Sequence, residues 1–185
     1  MNGESDVTVD RIGRDLTLPA SLLPALWSML EEEGGMRLAG NTLHRLGREA
    51  GEALFEELNE GTTASLVDLG EEDFWGRLMD GLRQRGWGTL SHRRIHPGLG
   101  LLSSGDWAEA QALHGQEHPG CGFTTGVLTG FLGRAAGGEL EVTEVACRGR
   151  GAEECRFAFG SHQATQELND QLLDGVDLDQ ALARF

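Results

Sequence analysis

The chain has 185 residues, 39% hydrophobic and 24% charged, enough apolar material to bury a core and too much for wholesale disorder. Its 30 acidic residues face 15 arginines, for a formal net charge of −15, and there is neither lysine nor tyrosine. That balance argues against sequence-independent nucleic-acid binding and against anionic membrane surfaces, both of which need clustered cations. The missing residue types exclude Schiff-base chemistry, a phosphate-loop lysine and a tyrosine general acid. No apolar run approaches a bilayer span and the start is polar rather than secretory, so a soluble cytoplasmic protein is expected.

Residues 1–17 read as a loose or strand-forming arm. A helix is predicted over 18–33, with Pro19 and Pro24 near its start and Gly34-Gly35 ending it. A second spans 41–59, where Leu43, Leu46, Ala50, Leu54 and Leu58 recur every three to four residues. A third covers 71–85, with Trp75, Leu78, Met79 and Leu82 as its apolar stripe. The period then shortens, and strands are predicted over 88–95, 99–104 and 109–114, punctuated by Pro97-Gly98 and Gly105. Helix returns over 122–136, strands over 139–147 and 155–159, and the acidic tail 161–185 reads as helical. This order describes an α+β fold in which N-terminal helices pack on a small antiparallel sheet, with the main domain over 18–160.

The chemistry concentrates between residues 121 and 155, which hold all three cysteines. An odd count without a secretory start argues against a disulfide framework. Cys147 and Cys155 flank the turn-rich run Arg148-Gly-Arg-Gly-Ala-Glu-Glu154, and Cys121 opens a helix, where the dipole favours a thiolate. A tetrahedral metal site needs a fourth donor. Glu141, Glu144, Glu153, Glu154, His114 and His118 are all near enough in sequence, and three inert buried thiols are the plain alternative.

The run Cys121-Gly-Phe-Thr-Thr-Gly126 followed by Glu141-Val-Thr-Glu-Val-Ala-Cys-Arg-Gly-Arg-Gly-Ala-Glu-Glu-Cys-Arg-Phe157 resembles the signature of the 4-vinyl reductase domain family. That family includes sensor domains of phenol-responsive activators, archaeal stand-alone proteins and an accessory protein of bacteriochlorophyll synthesis. The resemblance implies a structural Zn²⁺ held by Cys121, Glu144, Cys147 and Cys155. It also implies the ligand-binding fold of haem–nitric-oxide sensors and transport-particle subunits, here with a zinc-clamped helix and hairpin. Glu144 and Cys147 are three apart, so a regular strand would point them to opposite faces, and the strand must end or bulge between them. Three thiolates and a carboxylate leave a net −2 around Zn²⁺, and Arg148, Arg150 and Arg156 are placed to offset it.

Gly122, Gly126 and Gly130 share one helical face, which leaves either room for a ligand or a close contact with the sheet. His114-Gly-Gln-Glu-His118 fits an inverted zinc-protease pattern, but Gly115 and the following Pro119-Gly120 argue against the helix it needs. By resemblance, Trp107 and Val142 fall where the family lines its pocket, and Trp87 and Phe123 could complete an apolar wall. The phenol sensors pair their tryptophan with a histidine on the preceding helix, which residues 71–86 lack. The expected function is a zinc-stabilised sensor or carrier of a hydrophobic aromatic or tetrapyrrole-like molecule, without catalysis of its own. The alternative is an enzyme or accessory factor in tetrapyrrole 4-vinyl reduction. A homodimer is expected, with a further signalling or biosynthetic protein partner.

Overall fold

The computed structural model describes residues 18–60, 65–113 and 120–185. The predicted arm over 1–17 and the His114 and His118 pair lie outside the described residues. The first helical run, α1 (Leu22–Glu60), is interrupted at Gly35, whose φ of 77° and ψ of 173° are not helical. Such backbone is open to glycine and strained for other residues. The arm before Gly35 doubles back along the arm after it, so that Trp27 packs on Ala39 and Leu43. The two helices predicted on either side of Gly34-Gly35 are the arms of this hairpin.

Helix α2 (Glu71–Gln84) follows, then strands β1 (Ser91–His96) and β2 (Leu99–Ser104). The strand predicted over 109–114 is instead α3, Ala108–Ala112. The alternation of alanine with Glu109 and Gln111 mimics a strand period, but alanine is the strongest helix former and no β-branched residue opposes it. Helix α4 (Gly122–Ala136) occupies the predicted span and ends on left-handed Gly137. Strands β3 (Glu141–Ala146) and β4 (Cys155–Gly160) precede α5 (His162–Leu173) and α6 (Leu178–Leu182). The sheet is antiparallel throughout, in the order β1-β2-β4-β3.

Both faces of the sheet are covered. Leu102, Phe157 and Val142 meet α4, α2 and the second arm of α1 through Leu128, Phe131, Leu82 and Leu54. Leu99, Leu101 and Ala158 face the other way, onto Leu168 of α5 and Ala181 and Leu182 of α6. This is why β2 carries an apolar run rather than a clean alternation.

The closest helix contact is between α1 and α4, and it is made of glycine. Gly47 and Gly51 lie against the backbone of Phe123 and Val127, while Gly126 and Gly130 lie against that of His44 and Arg48. A Cβ at any of the four would overlap a carbonyl oxygen of the facing helix. The glycine face of α4 is therefore filled, leaves no room for a ligand, and packs on a helix rather than on the sheet. Replacing Gly126 by alanine should gain about 1 kcal/mol of helix propensity. Against that, backbone displacement of the kind caused by overpacking costs typically about 1–3 kcal/mol. Gly126→Ala should accordingly lower stability in chemical denaturation, whereas Gly76→Ala, in exposed α2 with nothing near the added methyl, should raise it. Equal effects of the two substitutions would contradict the contact.

Candidate metal centre and adjoining cleft

Four side chains from three parts of the chain converge beside the start of α4. Cys121 stands at the N-cap of α4, Glu144 in β3, Cys147 just past β3, and Cys155 at the start of β4. Their ligating atoms all lie within 4.8 Å of one another, and the three cysteines are free thiols buried from solvent. The spacing problem posed by Glu144 and Cys147 is resolved by a bulge. Glu144 pairs with Phe157 and Ala146 with Arg156, so Val145 is an extra residue and β3 ends before Cys147.

The arrangement fits a four-coordinate ion. Thiolates at about 2.3 Å from a tetrahedral centre place sulfurs roughly 3.8 Å apart, and the Cys121 and Cys147 Sγ atoms are separated by 3.9 Å. Glu144 Oε2 accepts the Cys121 backbone N–H at 3.0 Å, while Oε1 is buried with no hydrogen-bond partner. A buried carboxylate oxygen left bare costs free energy that a metal ion would recover. Gly120, at φ 114°, makes room for this carboxylate, since a Cβ there would overlap Glu144. Burial, then the charge of Cys147, pushes Glu144 up to about 8. Hydrogen bonding with Cys147 and Cys155 pushes the Cys121 thiol up, while bonds from Cys121 and Cys147 pull Cys155 down. Four acids around one point cannot all ionise without a cation between them.

The expected arginine neighbours are only partly realised. Arg156 pairs with Glu154 at 2.6 Å and Asp179 at 3.1 Å instead. Backbone donors serve the cluster, from Cys121 to Glu144 and from Arg148 to Cys155. The rejected carboxylates have other roles, Glu141 holding His162 and Thr165 and Glu154 holding Arg156.

A cleft of about 510 Å³ opens on the other side of the α4 N-terminus. Its walls are both arms of α1, the end of α2, the segment through Trp87, and Phe123 and Val127 of α4. Trp87 and Phe123 stack with ring centroids 5.7 Å apart, 9° from parallel. Trp107 and Val142 do not line this cleft. Trp107 is buried behind Trp87, and its indole N–H donates to the Thr124 hydroxyl at 2.7 Å. Val142 lies in the core beneath α4.

Glu109, which the sequence reading placed in a strand and gave no role, lies at the inner end of the cleft. Its Oε1 accepts the Phe123 N–H at 3.1 Å, and its Oε2 accepts the Thr124 N–H at 2.8 Å and the Thr124 hydroxyl at 2.5 Å. The carboxyl of α3 thus caps α4 from outside it. Burial pushes Glu109 up to about 7 against the pull of these bonds.

The cysteines, the bulge and Trp107 all lie within one block of the chain. Residues 106–161 match the 4-vinyl reductase domain family. The resemblance read from the sequence is thereby borne out. The match runs from the residue before Trp107 to the residue that caps α5, and holds the whole four-ligand cluster. Two solved structures share the fold. The phenol-responsive sensory domain of the transcription activator PoxR, solved with phenol, superposes with a TM-score of 0.68 at 20% identity, over 91% of this chain and 83% of that one. A vinyl-4-reductase family protein from Methanocaldococcus jannaschii gives a TM-score of 0.51 at 19% identity, over 80% and 83%. No curated protein sequence matches.

Cobalt(II) added to the reduced, metal-stripped protein should give the near-ultraviolet charge-transfer band of thiolate ligation. Gly120→Ala should weaken that binding through Glu144, while Gly122→Ala, whose methyl meets open space, should not. A band equally strong in both variants would remove Glu144 from the site.

Proposed function

We propose that the chain is a zinc-stabilised small-molecule-binding domain, a sensor or carrier whose ligand is an apolar, ring-bearing molecule seated in the cleft. The observation that carries this reading is the cleft itself. Its volume suits a small organic ligand, its walls are mainly apolar, and Trp87 and Phe123 offer flat faces to a ring. The phenol-bound state of the PoxR domain supports the same reading by analogy of fold. Zinc is the favoured ion because a closed set of three thiolates and a carboxylate suits a structural tetrahedral site. Its position explains its use, since it ties the start of α4, which forms one cleft wall, to the β3–β4 hairpin.

The second reading, an enzyme or accessory factor in tetrapyrrole vinyl reduction, draws on the family named for the M. jannaschii protein. It would require a source of hydride or electrons.

We also propose a homodimer. Met29, Met36, Leu38 and Leu46 of α1 are exposed, an apolar surface that a second copy would cover.

Native mass spectrometry of protein purified under reducing conditions without chelators tests the metal and the assembly. The expected species is two chains with two zinc ions, and Cys155→Ser should lose the zinc together with thermal stability. A metal-free parent of undiminished stability would overturn the clamp, and a monomer at micromolar concentration would overturn the dimer. The ligand class is read by quenching of tryptophan fluorescence with simple aromatics and with porphyrins. Saturable quenching by aromatics supports the leading reading, selective quenching by porphyrins transfers support to the second, and no response to either defeats both.

A further inference from the structure

The cleft wall carries three charged side chains among the described residues, Glu57, Arg85 and Glu109. Two of them satisfy each other, with the Arg85 guanidinium 2.5 Å from Glu57 and also donating to the Gly81 carbonyl at 2.9 Å. Glu109 is matched by no cation among the described residues. It is only 2% exposed, and it is held by neutral donors from the first turn of α4.

An ionised carboxylate accepts at about four lone-pair positions. Glu109 uses two on Oε2 and one on Oε1, so Oε1 keeps capacity for one further donor. The group is also rigid. Thr124 is fixed from its other side by the Trp107 indole, which is itself buried, so the carboxyl is held before any ligand arrives. A fixed acceptor at the inner end of an otherwise apolar cleft orients a ligand by its polar end.

We propose that Glu109 is the polar anchor of the cleft and selects ring-bearing apolar molecules that carry a neutral hydrogen-bond donor, a hydroxyl or an amino group, against those that carry a carboxylate. The inference rests on the ligand-binding reading above and names its specificity. A donor reaching Oε1 gains a charge-assisted bond in a place shielded from water. A molecule without a donor gains only the apolar contact, and an anion would meet like charge with no free partner for it.

A matched series tests this on the intact, metal-loaded protein by equilibrium dialysis, using 4-ethylphenol, 4-ethylaniline, ethylbenzene and 4-ethylbenzoate. The phenol and the aniline should bind about tenfold or more tightly than ethylbenzene, the worth of one hydrogen bond to a charged group, and the benzoate should not be retained. Glu109→Gln keeps an acceptor oxygen and removes the charge, so the penalty on the benzoate should shrink while the phenol weakens. Should that variant fail to fold, the parent series decides alone. Ala53→Trp, which fills the cleft from α1, should abolish binding of the whole series. Equal binding of all four compounds, or preference for the benzoate, overturns the anchor and leaves the cleft reading standing. Binding indifferent to Ala53→Trp, or no binding at all, overturns both.

Discussion

Helix α4 lies where it does because glycine lets two backbones touch. Side chains normally hold packed helices about 8–10 Å apart; here Gly47 and Gly51 of α1 and Gly126 and Gly130 of α4 remove them from the contact. The opposite side of α4 is then free to carry Leu128, Phe131 and Leu132 into the core. Everything at the N-terminal end of α4, on the metal side and on the cleft side, inherits its position from this contact. The helix is short of polar surface and rich in glycine, so it draws its stability from what surrounds it rather than from propensity.

That N-terminal end is held by two carboxyls brought from elsewhere in the chain. Glu144 takes the Cys121 N–H, and Glu109 takes those of Phe123 and Thr124. Each serves donors that the first turn of a helix cannot satisfy internally, and each benefits from the partial positive charge there. The two carboxyls differ in what completes them. Glu144 has a bare oxygen turned toward three sulfurs, a setting that calls for a cation. Glu109 is surrounded by neutral donors and borders an apolar cleft, a setting that suits an organic donor.

The parts of this arrangement differ in how far the sequence revealed them. The span of α4 is legible because an apolar, glycine-rich run starts at a cysteine and stops at Gly137. The bulge before Cys147 follows from a three-residue spacing that a flat strand cannot satisfy. The choice of Glu144 among several acids came from resemblance, since spacing alone left Glu141, Glu153 and Glu154 equal to it. The partner of the glycine face was hidden because Gly47 and Gly51 sit in a run whose apolar stripe was read through its leucines, one of which, Leu46, is exposed. Glu109 was hidden more deeply. Its partners lie 14 and 15 residues away, across a turn, and no local pattern distinguishes it from a solvated glutamate on a short alanine-rich segment.

The hairpin at Gly35 has a bearing on how occupancy could be felt outside the domain. Leu22 and Leu23, from the arm before that glycine, form part of the cleft wall, and the same arm carries exposed Met29. It is joined to the rest of α1 through a single residue in a conformation that needs no side-chain support. Filling the cleft therefore presses on a lever whose far side is the apolar surface a second chain would meet. Recognition inside and association outside are carried by one piece of helix, and a change in either is mechanically available to the other.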